Sequence, residues 1–406
     1  MATVDAGALT AWRVTLQYPP LIAEIPPATF GASPHGLLVS TAWSYACSTS
    51  ADPITDAFSL TTADCVLATL PDNRSADLGF EPASLPGAVP WERTYYGLFT
   101  ADFQPASAPA ALVSFAHGED KNEAWLLPDG GIVCYQNDIN TNVACSACAS
   151  GDVDGGGYVD CFAAYNAFVS VAVSQLADGG FGPFVNQGPV VWPASGYTDG
   201  GSKTSYGVRQ PSAIVAPDLV DKLAGDFFYI YYVDESLTSP GTKLARAAVL
   251  PSGAPGPFVS WTGADFDTLA LPVGFSPANA AAFFAQPGPP SAAVVPDNTI
   301  RVGVAHLTDL SAPTYLAVEE LYDAASTWRI ELRASHDLVH FGPAVDLAEL
   351  AQPLGVGAAT LRYPLFLSAD ATSNTEIQAS GFYLIGSDQT VFPGLINQVF
   401  VAVTVR

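Results

Sequence analysis

The sequence predicts an all-β chain, a five-bladed β-propeller with a cysteine-rich insertion, and three observations predict it. Short runs of β-branched and aromatic residues alternate apolar with polar at period two. Gly (35) and Pro (33) interrupt the chain often enough to keep those runs at strand length. A loose unit, opened by a short strand start, recurs five times along the 406 residues.

The alternation is clearest in two places. Between Thr327 and Ser335, Trp328, Ile330, Leu332 and Ala334 share one face, with Arg329, Glu331 and Arg333 opposite. In Val399–Val405 the valines at 399, 401, 403 and 405 share a face. Both read as half-buried antiparallel strands. Unit starts are read at Ser33-Pro34-His35-Gly36, Tyr95-Tyr96-Gly97, Arg209-Gln210-Pro211-Ser212, Pro289-Pro290-Ser291 and Arg362-Tyr363-Pro364. Second strands follow at Leu112–His117, Phe227–Val233, Ile300–His306 and Gly381–Gly386. Two units later carry a Ser-bearing strand that ends before Phe-Gly-Pro, at Phe181-Gly182-Pro183 and Phe341-Gly342-Pro343. The unit length fits four strands, and radial repetition of four-stranded sheets is the propeller plan. We therefore expect one domain over 1–406, with a cysteine-rich, Gly/Asp-rich insertion at 134–161. Trp12–Leu16 would pair into the last blade and remove an exposed edge. Two unrelated β-sandwiches are the competing architecture.

Charge excludes some partners. The 14 Lys and Arg against 39 Asp and Glu give a net −25. That field repels polyanions, so nucleic acid and anionic membrane surfaces are not expected partners, whereas cations such as calcium are. No apolar run approaches the roughly 20 residues that span a bilayer. Six cysteines, at 47, 65, 134, 145, 148 and 161, point to an oxidising compartment. The expected setting is secreted or periplasmic, with a leader already removed; a cytosolic protein with reduced thiols is the alternative.

Four constellations could carry chemistry. The first is His117-Gly118-Glu119-Asp120-Lys121-Asn122-Glu123, an unusual density in a chain only 13% charged. His117, Glu119 and Asp120 are the catalytic candidates, since glycoside hydrolysis needs one carboxyl as acid and another as base or nucleophile. A solvated loop is the plain alternative. The second comprises the polar residues at unit starts: His35, Tyr96, Arg209, Gln210, Arg362 and Tyr363. Innermost strands line a propeller axis, so these could bind substrate, the Arg forks contacting its oxygens; equally, each Arg could pair with a carboxylate to hold the ring.

The third is Asp152-Val153-Asp154-Gly155-Gly156-Gly157-Tyr158-Val159-Asp160, similar to an EF-hand or dockerin calcium loop. Asp152, Asp154 and Asp160 would be metal ligands, but Gly156 and Ala163 replace two expected oxygen donors. A supplemented calcium site and a Gly-rich turn both fit. The fourth is Cys134, Cys145, Cys148 and Cys161, which suit two disulfides better than a zinc site, with Cys47 and Cys65 as a third bridge.

Two of these segments carry a family resemblance. Ser335-His336-Asp337-Leu338-Val339-His340-Phe341 resembles the S-x-D-L-x-x-[FW] strand of five-bladed glycosidase-type propellers, the arabinanase, xylosidase and invertase group. Gln210-Pro211-Ser212 followed by Phe227-Phe228-Tyr229-Ile230-Tyr231-Tyr232 resembles their D-P-S…Y-Y-L-Y-Y blade opening. The resemblance implies a hydrolase acting on a carbohydrate or other small molecule in an axial pocket, most simply as a monomer. It also implies an Asp before the Pro as catalytic base, where this chain has Gln210. A calcium-dependent hydrolase of lactones, esters or phosphotriesters and a non-catalytic glycan-binding propeller are the rival functions.

Overall fold

The computed structural model describes residues 37–41, 44–48, 79–80, 94–103, 111–120, 124–126, 132–134, 166–177, 180–181, 185–194, 206–235, 240–276, 283, 286–295, 299–322, 328–347, 361–369, 375–388 and 397–403. These residues contain strands and no α-helix. In chain order the strands are β1 (Leu37–Thr41), β2 (Ser44–Ser48), β3 (Gly79–Phe80), β4 (Thr94–Phe103), β5 (Ala111–Asp120), β6 (Ala124–Leu126), β7 (Ile132–Cys134), β8 (Asn166–Ala177), β9 (Gly180–Phe181) and β10 (Val185–Pro189). They continue as β11 (Tyr206–Pro217), β12 (Asp226–Asp234), β13 (Gly241–Ala248), β14 (Val259–Ser260), β15 (Thr268–Leu269), β16 (Thr299–Leu307), β17 (Tyr315–Tyr322) and β18 (Trp328–Ser335). The last five are β19 (Val345–Asp346), β20 (Leu361–Ser368), β21 (Glu376–Ile377), β22 (Phe382–Asp388) and β23 (Asn397–Val403).

Strands pair antiparallel in chain order, with short strands skipped, giving the four-stranded meanders β4–β5–β8–β10, β11–β12–β13–β14 and β16–β17–β18–β19 and the three-stranded β20–β22–β23. Serial four-stranded meanders are the blade plan of a β-propeller. β8 also pairs in parallel with β11, through Tyr206↔Asn166 and Gly207↔Ala167, joining the first two meanders laterally.

The core lies between sheets. β12 shows why: its run Phe227–Val233 is apolar on both faces because both faces are covered. Phe228, Ile230 and Tyr232 pack towards Val113, Phe115 and Val171 of the preceding meander. Phe227, Tyr229 and Tyr231 pack towards Val302, Val304, Tyr315 and Ala317 of the following one. Ile330, Leu332 and Ala334 of β18 bury against Leu316, Val318, Phe366 and Leu384, so the alternating face read from the sequence is the one that meets the next sheet. Burying one such side chain contributes roughly 1.5–3 kcal/mol.

The Pro-bearing starts acquire a physical meaning. β11 loses register between Arg209 and Ser212, and β20 between Arg362 and Leu365. Pro211 and Pro364 sit inside those breaks, where a missing N–H cannot serve the ladder. These two starts are thus β-bulges, which bend the strand and re-aim its side chains. Gln210, in the first bulge, takes a left-handed φ of 53°.

One unit start differs from the sequence expectation. The first strand of the third described meander is β16, so Ile300–His306 is not a second strand and Pro289-Pro290-Ser291 opens no blade. The segment after Pro290 instead runs beside β13, with a bridge Lys243↔Ala293 and the Val294 N–H donating to the Thr242 carbonyl at 2.9 Å. Two adjacent prolines offer no N–H donors, so this stretch can pad an edge but cannot open a central ladder. Trp12–Leu16, and most of the 134–161 insertion, lie outside the described residues.

Candidate functional site

Register places the catalytic candidates at one end of the sheets. β5 extends four residues past Ala116, so His117, Glu119 and Asp120 are strand positions and not a loop. Glu119 pairs with Thr94 at the start of β4 on one side and Ala167 of β8 on the other; Asp120 pairs with Asn166. Ala167 and Asn166 in turn pair with Gly207 and Tyr206 at the start of β11. Glu119 and Gly207 are therefore two strands apart on one hydrogen-bonded row, roughly 10 Å between backbones at the usual interstrand spacing. Arg209 and Gln210 lie two and three residues beyond Gly207. Tyr96 pairs with Gly79 near the same end of β4. Arg362 pairs with Ser387 at the start of β20, and Tyr363 falls inside the bulge that follows. β16 lies against both β11 and β20. His35, Asp152, Asp154 and Asp160 lie outside the described residues, as do Cys65, Cys145, Cys148 and Cys161.

Arg209 is half-buried and ion-paired with Glu235, the residue that follows β12. This partner belongs to the same meander as Arg209. Glu235 is itself fixed, its N–H donating to the Gly207 carbonyl at 3.0 Å. Among the described residues no group of three or more His, Cys, Asp or Glu is arranged to hold a metal ion.

The segment that carries the S-x-D-L likeness is architectural. Ser335 Oγ accepts from the Leu338 N–H at 3.0 Å, and Asp337 Oδ1 accepts from the N–H groups of Val339 and His340 at 3.0 and 2.8 Å. Asp337 Oδ2 pairs with His340 Nδ1 at 2.8 Å. Burial works against the charged Asp337, yet the His340 contacts and the Val339 N–H outweigh it and hold the carboxyl below its ordinary range. His336 and His340 therefore belong to a turn after β18, not to a strand. The turn drives Leu338 and Val339 into the core shared with β11–β13.

No protein-family model matches the chain, and no curated protein does. Solved structures do. A thermostable family-43 glycoside hydrolase is similar at 11% identity and a TM-score of 0.38, over 96% of this chain and 96% of that one. An α-L-arabinofuranosidase from Podospora anserina, in complex with cellotriose, is similar at 10% and 0.32, over 73% and 87%. A β-1,2-mannobiose phosphorylase from Listeria innocua is similar at 12% and 0.32, over 70% and 66%. The chain resembles glycoside-hydrolase structures, and at these scores the likeness gives no residue a role.

Every second strand carries carboxylates at or near its end, and beyond Glu119 and Asp120 the sequence motifs do not mark them. β5 ends on Glu119-Asp120, β12 on Asp234 with Glu235 next, β17 near its end on Glu319-Glu320, and β22 on Asp388. Register sets them beside first-strand starts: Asp234↔Val208, Glu320↔Arg301, Asp388↔Leu361. The signal was present in the sequence as four apolar runs each closing on acid, in a chain poor in charge. Not all are open to a ligand. Asp234 is 1% exposed and its Oδ2 accepts the Ala194 N–H at 2.9 Å, while Glu319 and Glu320 are fully buried.

Proposed function

We propose that this chain is an exported, monomeric, five-bladed β-propeller hydrolase of the glycoside-hydrolase type, acting on a carbohydrate at the rim where the first strands begin. The observation that supports it most directly is the row Glu119–Ala167–Gly207, which puts the acidic end of β5 beside the Arg209 bulge. Glu119 or Asp120 serves as proton donor or acceptor, with His117 on the same strand, and Arg209 and Arg362 hold substrate oxygens. His35, Tyr96, Gln210 and Tyr363 complete the substrate-binding set. The six cysteines form three disulfides, and Asp152, Asp154 and Asp160 contribute to a calcium site.

Glu119→Gln and Asp120→Asn, each checked for a wild-type melting transition, test the reading against a panel of arabinosides, xylosides, mannosides and fructosides. The expected result is hydrolysis by the wild type and a loss of about a hundredfold or more in kcat for at least one variant. Full activity in both variants overturns the assignment. Inert glycosides together with EDTA-sensitive turnover of lactones or esters would favour the calcium-dependent hydrolase. Glycan binding without turnover would favour the non-catalytic module, which Gln210, standing where the family has Asp, also supports.

A further inference from the structure

Far from the acidic strand ends, the stretch 286–290 reads Gln-Pro-Gly-Pro-Pro. Each proline ring fixes its own φ at about −65° and pushes the residue before it towards extended backbone. The local chemistry therefore dictates a polyproline II helix, with about three residues per turn and no internal hydrogen bonds. Residues three apart share a ridge, and the three ridges meet different surroundings. The ridge of Gly288 and Ser291 faces the protein. The Gly288 N–H donates to the Pro193 carbonyl at 2.8 Å, and a Cβ on Gly288 would meet the carbonyl oxygens of Pro193 and Trp192. Lys243 Nζ donates to the Ser291 carbonyl at 3.3 Å, and the Ser291 side chain meets the buried Tyr232 hydroxyl. Pro287 and Pro290, one turn apart, are both exposed. Gln286, exposed, and Pro289, half-buried, make the ridge between.

We infer that residues 286–290 are a preformed polyproline ligand, presented by its Pro287–Pro290 ridge to a partner protein with an uncharged, aromatic-lined groove. Such grooves take Pro-x-x-Pro segments by stacking rings against the proline faces. Their tyrosine hydroxyls and tryptophan indole N–H groups donate to the ligand's carbonyls. Both needs are met. The two proline rings stand in solvent, and among the described residues nothing donates to the carbonyl oxygens of Pro287, Pro289 or Pro290. The inward ridge is tied down at Gly288, and the chain beyond it at Ala292, whose N–H donates to the Trp261 carbonyl at 2.8 Å. The ligand is thus ordered before any partner arrives, so little conformational freedom is lost on binding. Charge fixes the character of the groove. No Asp, Glu, Lys, Arg or His occurs from residue 268 to residue 296, in a chain of net charge −25. The contact therefore offers no ionic partner to a charged pocket, and ring stacking with hydrogen bonding carries it.

The full chain is titrated by calorimetry with isolated proline-reading domains of the SH3 and WW classes, and at least one should bind. Replacing Pro287→Ala together with Pro290→Ala should weaken that binding about tenfold or more, since both anchors leave the groove. Leu250→Ala, at an exposed apolar residue of a different turn, should leave it unchanged. A synthetic peptide of residues 286–291 should displace the chain from the domain, yet bind more weakly than the chain, because the free peptide must first be ordered. If the double proline variant does not fold, the displacement measurement decides in its place. The inference is overturned if neither domain class binds, if the double variant binds like wild type, or if the peptide does not displace the chain. A peptide that binds more tightly than the folded chain overturns it as well, because the ridge would then be held in an unsuitable shape.

Discussion

The Tyr231 hydroxyl donates a 2.6 Å hydrogen bond to the carbonyl oxygen of Leu338, 107 residues further along the chain. Tyr231 belongs to β12 and Leu338 to the turn after β18, so one bond ties two sheets. Leu338 offers its carbonyl there while holding a left-handed φ of 68°, which the Ser335 and Asp337 side chains stabilise from within the turn.

Replacing Tyr231 with Phe keeps the ring and strands the carbonyl. A buried acceptor left without a partner costs about 1–3 kcal/mol. Urea unfolding of Tyr231→Phe should show a midpoint lowered accordingly with an unchanged slope; an unaltered midpoint would mean that water replaces the hydroxyl.

Arg246 should be the costliest single charge to remove. It is buried with Asp218, Nη1 lying 2.6 Å from Oδ1, while Nη2 pairs with Asp221. Its guanidinium carbon stands 4.1 Å from the Phe266 ring centre and 5.0 Å from that of Phe227. Burial opposes the charged Asp218, but the N–H groups of Leu223 and Asp221 and the guanidinium prevail and keep its carboxyl below the usual range. Arg246→Met should cost about 3–5 kcal/mol, because a buried carboxylate loses its counter-charge. Adding Asp218→Asn should recover part of it in the double variant, as read by thermal unfolding.

Glu319 predicts a pH dependence. Arg333 Nε lies 3.0 Å from both of its carboxyl oxygens, and Arg333 Nη2 lies 3.1 Å from Glu331, so one guanidinium serves two buried carboxyls. Burial pushes Glu319 up to about 7, against the pull of Arg333. A carboxyl that holds its proton more tightly folded than unfolded stabilises the fold below its unfolded range, and that contribution fades as pH rises through about 7. Glu319→Gln removes the titration. Relative to wild type it should therefore gain stability between about pH 5 and about pH 8, by up to roughly 3 kcal/mol. A constant difference across that span would show that Glu319 is ionised throughout.

Gly288 tests close packing between segments. A Cβ there would meet the carbonyl oxygens of Pro193 and, at 2.8 Å, Trp192, while the Gly288 N–H already donates to Pro193 at 2.8 Å. Gly288→Ala should destabilise by about 2 kcal/mol, from a clash against backbone that cannot step aside. A wild-type melting temperature would show that the segment shifts freely.

Strands were legible wherever period two met strand length. Ile330, Leu332 and Ala334 show it, since an alternating face reports burial directly. The run Phe227–Val233 was legible for a different reason, being apolar on both faces and bounded by charge. What failed was blade phase at Pro289-Pro290, because proline marks a ladder break equally at a bulged first strand and along a padded edge. The candidate site was half legible. His117, Glu119 and Asp120 stood out by charge density alone. Glu235 did not, since nothing local distinguishes it from Asp234 beside it.

Composition and short-range period are enough to give an all-β reading, the positions of many of the longer described strands and a strongly acidic field, because none of these needs a distant partner. Tertiary structure decided which of the neighbouring carboxylates are buried and which meet solvent, and which strand lies beside which. Those outcomes depend on pairings such as Gly207 with Ala167, 40 positions apart in sequence, and no local pattern encodes a partner that distant.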